Sequence, residues 1–345
     1  MDPITQGALG AVFAQLPHTS LRATTQNAQA KEKIVTATWL GCAAGMAPDL
    51  DVFIQSPTDP LLFLEFHRHF THSLIFIPLG AAIVALVLYR LVQHKLNRRE
   101  AYIASLLGYA AHGLLDACTT YGTQLLWPFS DERIAWNNVS VVDPVLSLPL
   151  VVLVILAAKL KRPALTVAGV RWVFAYLLFG VFQMQRAERV ATDLALSRGH
   201  DPQRLTLKAS FANLIVWKSI YEHDNTYYVD GIRVTTENGH CQGTKIAKLN
   251  VARDLPFLQP DSQQAKDVER FRWFSDDYLA PWGDNGVTDI RYSLVPNRVE
   301  PMWGITLDPR AGPESYVEWW SNREARAAAL GKSTALLRGE DCKPV

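Results

Sequence analysis

Residues Phe66 to Ser73 read FHRHFTHS, three histidines and an arginine placed directly ahead of the apolar run LIFIPLGAAIVALVLY. Imidazole is the commonest protein metal ligand and a ready proton carrier. Its company decides whether that matters here. In AAHGLLDACTTYG, His112 and Asp116 stand four apart within a stretch that reads as helix. Both side chains therefore share one helix face, where they can hold one metal ion, or the aspartate can orient the imidazole. Asp49 and Asp51 in APDLDVF add two carboxylates. Together with His67 and His72 these groups supply enough nitrogen and oxygen ligands for one divalent metal, and for two if all are used. A mixed His/Asp set favours zinc, with manganese or iron also admitted. One of the two loop aspartates suits a general base instead of a ligand. Arg68 suits electrostatic contact with a substrate phosphate.

Each feature also has a plainer structural reading. The His112 and Asp116 pair can satisfy itself between helices, the histidine string can form a collar at a lipid interface, and Pro48-Asp49 is a common turn. What raises the chemical reading is that the chain brings all of them to one side of a membrane. Ser73 to Leu91 is about 19 residues without charge until Arg90, enough to cross roughly 30 Å of hydrocarbon as a helix. Tyr102 to Ala117, Leu148 to Ala158 and Val167 to Met184 are further apolar segments. Ile4 to Leu16 and Ile34 to Ala47, rich in Gly and Ala, fit closely packed or partly inserted helices.

If these six segments alternate sides, one set of loops holds Arg22, Lys31, Lys33, Lys95, Arg98, Arg99, Lys159, Lys161 and Arg162, and the other only Arg68 and Arg133. That bias puts the first set in the cytoplasm, and places both termini and everything after the sixth segment outside. Asp49, Asp51, the three histidines, His112, Asp116 and Asp143 then all fall on the external side. Trp127, Phe129 and Trp136 suit a segment lying at the headgroup level. The opening MDPITQ lacks a basic stretch and does not read as a removable signal peptide. Instead Asp2 caps a helix that Pro3 begins.

With 34 basic and 33 acidic residues the chain carries no basic field for nucleic acid, which is not expected as a partner. Four cysteines, Cys42, Cys118, Cys241 and Cys342, lie far apart with no CxxC pair. Residues 186–203 read as a linker helix, and residues 204–345 as a small, mainly antiparallel β domain with Asp230-Gly231 as a turn and a terminal helix over Arg323 to Leu337. His223, Asp224 and Asp230 there read as surface or turn groups. The region holds no nucleophile elbow, phosphate loop or dinucleotide fingerprint.

The motifs MDPITQGALGA, PDLD at Pro48 to Asp51, HRHFTHS at His67 to Ser73, HGLLDACTTYGTQLLWPFS at His112 to Ser130 and VVDP at Val141 to Pro144 resemble the YdjM-like family of inner-membrane proteins, described as metal-dependent hydrolases. The resemblance covers roughly the first 150 residues. It departs at Gln6, where the family often has histidine, and at His69, where many members have glycine. The first departure removes a ligand candidate and the second makes His69 a weak one.

The expected protein is an α-helical polytopic membrane domain over residues 1–185, followed by a small, mainly β, external or periplasmic domain. It would sit in a bacterial inner membrane, with Asp49, Asp51, His67, His72, His112 and Asp116 around a divalent metal. Hydrolysis of a phosphoester in a lipid or membrane-associated molecule is the expected activity. A metal-dependent binding or transport protein is the alternative.

Overall fold

In the computed structural model, residues 1–19, 26–322 and 326–344 are described; Arg22 of the basic loops and Arg323 of the expected terminal helix lie outside them. Contacts divide the chain into two units. The first comprises residues 1–53, 66–181 and 211–213, and the second residues 54–65, 182–210 and 214–345.

Every one of the six apolar segments is helical. Helix α1 (Pro3–Gln15) starts at Pro3, and the Asp2 side chain accepts from the backbone N–H and the hydroxyl of Thr5, as an N-cap should. It is buried on nearly all sides and packs against α2 (Gln26–Met46), α5 (Arg98–Ala117) and α6 (Pro144–Leu160). Small residues make this possible. A Cβ added at Gly41 would stand 2.2 Å from Cβ of Ala14 and 2.5 Å from the Gly10 carbonyl oxygen, so only glycine allows the two backbones so near. Between α2 and α5 run the short α3 (Leu62–Phe66) and α4 (Ile77–Val92). Asn97 and Glu100 form a reciprocal capping box that starts α5.

Length and hydropathy separate these helices. Among the described residues, α7 (Pro163–Ser197) alone is long and apolar enough to cross a membrane unaided. The pieces Leu62–His72 and Ile77–Val92 pass together but meet at 86°, and α6 is apolar but shorter. The expected span at Ser73 to Leu91 is thus a helix of 16 residues preceded by a sharp bend. At 1.5 Å per residue, α1 is only about 20 Å long, short of a full crossing. The expected linker at residues 186–203 begins as the uninterrupted continuation of α7 to Ser197.

The second unit is mainly β. Strands β1 (Arg204–Ala209), β2 (Val216–His223), β3 (Thr226–Arg233) and β4 (Gly239–Ala247) form an antiparallel meander. Helices α8 (Val251–Asp254) and α9 (Gln263–Phe274) lead to a second sheet of β5 (Leu279–Trp282), β6 (Gly286–Asp289), β7 (Trp303–Thr306) and β8 (Glu318–Ser321). Finally α10 (Arg326–Arg338) returns β9 (Cys342–Pro344) to the free edge of β4. The β2–β3 turn falls at Asp224 and Asn225, both with positive φ, and not at Asp230-Gly231, which instead forms an irregularity within β3. A pair of left-handed residues matches the twist of a tight hairpin, and Asp and Asn are among the few residues with a Cβ that tolerate it. Cys241 and Cys342, opposite one another in the β4–β9 ladder, are joined as a disulfide.

Candidate metal centre

Four chain segments of the first unit deliver the ligand candidates. The 3-10 turn Ala47–Phe53 continues directly from α2 and carries Asp49 and Asp51. His67 follows α3, His72 closes the 3-10 turn Phe70–His72, and the last two turns of α5 carry His112 and Asp116. Gly113 lets these elements meet. A Cβ there would lie 2.5 Å from the His72 carbonyl oxygen, so a side chain would push the His72 turn away from the helix that bears its partner.

Asp49, His72, His112 and Asp116 converge. Nε2 of His72 and Nε2 of His112 are 2.9 Å apart. Asp49 Oδ1 stands 3.5 and 3.3 Å from those two nitrogens, and Asp116 Oδ2 stands 3.4 Å from each. The tautomers follow from the far side of each ring. His112 Nδ1 meets the Gly45 carbonyl at 2.5 Å, and a carbonyl can only accept, so Nδ1 bears the proton. His72 Nδ1 lies 3.2 Å from Asp51 Oδ2 and 2.9 Å from the Thr71 hydroxyl, whose own proton is given to Asp51. Both Nε2 atoms therefore present lone pairs to the same small volume as two carboxylate oxygens.

Such a gathering repels itself unless something positive lies within it. Asp116 Oδ2 is buried and receives no hydrogen bond, although Arg68 Nε approaches to 3.1 Å. One proton between the imidazoles would join them and set its charge beside both carboxylates, without a direct bond to each of the four atoms. A cation at the centre of the four atoms satisfies all of them. Ligands 2.0–2.1 Å from a common ion stand about 3.4 Å apart in a tetrahedron and about 2.9 Å apart as octahedral neighbours. The observed separations cover both, so the residues fit a divalent metal without choosing which one.

Asp51 and His67 occupy a different position. Their ligand atoms and that of Asp49 also lie within 4.8 Å of one another. Yet Asp51 is already satisfied by its neighbours. Oδ1 is 2.8 Å from His67 Nδ1, and Oδ2 accepts from the Arg68 N–H, the Thr71 hydroxyl and His72 Nδ1. This is the pattern of a carboxylate that fixes the tautomer and aim of a ligating histidine. Burial of Asp51 is nearly complete, whereas the Asp49 side chain is 25% exposed and forms the solvent-facing part of the cluster.

Arg68 sits in the left-handed region at φ 64°, a conformation costing roughly 1 kcal/mol for a residue with a Cβ. Its N–H bond to Asp51 offsets part of that cost. The guanidinium turns inward to the Thr119 hydroxyl, the Asp116 carbonyl and the face of Tyr121. His69 packs among Phe66, Phe70 and Trp127, away from the ligand set. Asp143 caps α6 and accepts from the Tyr176 hydroxyl.

Sequence reasoning took Gln6 only as a lost ligand and gave no role to Thr71 or Thr119. Gln6 is fully buried and donates to Asp116 Oδ1, which the amino group of Met1 also contacts. The position after DPIT was the available signal, since a polar side chain inside an apolar helix needs a polar destination.

Comparison with known proteins follows the same residues. The family profile described as YdjM inner membrane protein matches residues 1–187, which contain every ligand candidate. The chain belongs to the YdjM family. Beyond it, this YdjM protein is 28% identical over 102 residues to the Bacillus subtilis protein named "Uncharacterized protein YfhP", an alignment covering 30% of this chain and 31% of that one. The chain thus spans less than a third of that relative's length. No solved structure matches it significantly.

Proposed function

We propose that this YdjM protein is a metal-dependent hydrolase working at the external face of the inner membrane, on a phosphoester of a lipid or other membrane-associated molecule. The observation that carries the reading is the convergence of two imidazole lone pairs and two carboxylate oxygens in one largely buried volume. Asp49, His72, His112 and Asp116 would hold the cation, with Asp51 and His67 behind them, and zinc is favoured by the mixed donor set. The bound ion supplies Lewis acidity, activating water and offsetting charge that develops on a phosphoryl oxygen.

The chain's own groups do the rest. Asp49 faces the imidazoles with Oδ1 and is part-exposed, so its other carboxylate oxygen is left to take a proton from water. Arg68, buried and held by Thr119 and Tyr121, adds positive charge beside Asp116, which favours an anionic substrate at the site through its field and not by contact.

Membrane location is supported by the family and by the apolar helices, which we read as a polytopic arrangement with a cytoplasmic set of basic loops. Support for a lipid substrate comes from the turn that bears Asp49 and Asp51. Leu50 between them and Val52 and Phe53 after them are exposed, as are Phe129 and Trp136. Apolar side chains exposed on the turn that carries these carboxylates suit acyl chains better than water. The Cys241–Cys342 disulfide supports an oxidising, external location for the β unit.

The test is to incubate zinc-loaded protein with fractionated membrane lipids and follow products by mass spectrometry. Consumption of a phosphoester lipid by wild type and its loss in Asp49→Asn is the expected result. No turnover of any lipid or soluble phosphoester by the metal-loaded wild type would remove hydrolysis.

A further inference from the structure

The loop that leaves the metal-bearing end of α5 folds back on itself and returns a second arginine to the cluster. Thr123 and Ile134 form a small antiparallel bridge, exchanging N–H bonds at 3.0 and 2.9 Å, and the Trp136 N–H closes on the Ala117 carbonyl. Gly122 makes the return possible. It sits at φ 79°, and a Cβ there would stand 2.8 Å from Cβ of Arg133. Arg133 is thereby set beside His67, 66 positions away in sequence. Its Nη2 donates to the carbonyls of His67 at 3.4 Å and Gly122 at 3.1 Å, and its Nε to that of Tyr121 at 3.5 Å. All of these residues belong to the first unit, as do the metal-ligand candidates.

Two guanidinium groups share the ring of Tyr121, with Arg68 4.8 Å and Arg133 5.2 Å from its centroid. They differ in access. Arg68 is buried, whereas Arg133 and Tyr121 are part-exposed, as are the side chains of Asp49 and His67 at 25% and 22%. These four are contiguous: Asp49 and His67 offer ligand atoms within 4.8 Å of each other, and the His67 ring meets that of Tyr121 at 5.4 Å. They form an accessible rim on the cluster, and Arg133 is its cation. A planar, permanently charged fork matches the oxygens of a phosphate in a way that no other group on this rim does. Leu126, Phe129 and Trp136 of the same loop are exposed, which gives that cation the apolar company found at the headgroup level. We propose that Arg133 is the contact for the substrate's phosphate at the metal centre, with its guanidinium braced against Tyr121. This rests on the phosphoester reading above. Arg68 then supplies field from behind the cluster, and Arg133 supplies contact at its rim.

Phosphate capture is measured by calorimetry on cobalt-loaded, full-length protein in detergent, with inorganic phosphate and soluble dihexanoyl phosphatidate as probes. Cobalt titration of each variant shows whether the cluster is intact. Expected are a roughly tenfold or greater weakening for both probes in Arg133→Ala and Arg133→Gln, partial recovery in Arg133→Lys, and cobalt uptake as in wild type throughout. Should Arg133→Ala fail to fold, Arg133→Gln carries the test, because its amide can still donate to a backbone carbonyl. Tighter capture of phosphatidate than of inorganic phosphate, lost in the same variants, supports a lipid headgroup; equal capture supports a free phosphate group. Wild-type capture by the folded Arg133 variants overturns the assignment, as does failure of cobalt-loaded wild type to capture either probe. Loss of cobalt along with phosphate in Arg133→Gln overturns it too, since the arginine would then belong to the framework of the cluster. A wild type that takes up no cobalt overturns the metal reading and this assignment together. Arg133-dependent capture without turnover of any phosphoester overturns hydrolysis and leaves the phosphate contact standing.

Discussion

The Nε2 atoms of His72 and His112 face each other at 2.9 Å, while their Nδ1 atoms are engaged by Asp51 and by the Gly45 carbonyl. Neither ring has a proton to offer the other in its neutral form. The contact makes sense as two corners of a coordination site, and each corner is set by a different part of the chain.

Removing one corner and its carboxylate should empty the site. Purified wild type is expected to retain about one transition metal per chain, and His112→Ala with Asp116→Ala to retain none while staying helical in detergent. Elemental analysis with circular dichroism checks both. Full occupancy in the double variant would exclude these two residues as ligands.

Asp51→Asn should behave differently from Asp116→Asn. Asp51 acts through His72 and His67, so its amide variant should lower metal affinity about 10–100-fold and still fill at high metal concentration. Competition with a chromophoric chelator measures this. A complete loss of binding would make Asp51 a direct ligand.

Gly113→Ala sets two effects against each other. Helix propensity favours alanine by about 1 kcal/mol. The new Cβ, however, would meet the His72 carbonyl at 2.5 Å, and such overpacking costs about 1–3 kcal/mol. We expect a lower melting temperature together with weaker metal binding, because the turn that yields is the one carrying His72. A more stable variant with unchanged affinity would show that the turn moves freely.

That Asp49, His72, His112 and Asp116 would gather was legible in the sequence, because charged and imidazole side chains in apolar surroundings need partners. Their division was not legible. Nothing in PDLD says that Asp49 meets both imidazole Nε2 atoms while Asp51 turns to their far side; that depends on the 3-10 path of Ala47–Phe53. The helices fell where apolar runs predicted them, but the 86° bend ahead of α4 and the shortness of α1 leave the number of crossings outside what apolar runs can specify. Gln6 was named but its role was not. Gln6 looked like the loss of a ligand, and only the packing of α1 against α5 shows that it donates to Asp116.

Lys218 gives the β unit a pH dependence of known sign. It is buried, donates to Ser293 and to the Arg298 carbonyl, and lies opposite Lys208 in the β1–β2 register. Burial pushes its pKa down to about 7, against the opposing pull of Asp289 and Glu300. The unfolded state therefore binds the extra proton between about pH 7 and the ordinary lysine value of 10.5. Stability from this group rises with pH across that window, by about 1.4 kcal/mol per unit, and its penalty is complete below pH 7. Denaturant melts of wild type and Lys218→Met at pH 7 and pH 9 should show the difference between them shrinking as pH rises. A difference independent of pH would mean that Lys218 keeps its proton in the fold.

The disulfide offers the last test, since it closes the β unit on itself. Strand β9 is only three residues long and reaches β4 through the pairs Gly239↔Pro344, His240↔Lys343 and Cys241↔Cys342. So short a ladder has little stability of its own, and α10 adds a small cluster in which Ala329 and Leu336 pack with Val216 and Val295. A covalent link across a sequence separation of 101 residues removes much of the unfolded chain's freedom, worth up to about 4–5 kcal/mol. Thiol labelling of denatured, unreduced protein should therefore find Cys42 and Cys118 alone, and all four cysteines after reduction. Reductant should lower the melting temperature of wild type and leave the Cys241→Ser, Cys342→Ser double variant unmoved. Labelling of all four cysteines without reductant, in protein recovered from the membrane, would show that the pair is open there and would remove its support for an external β unit.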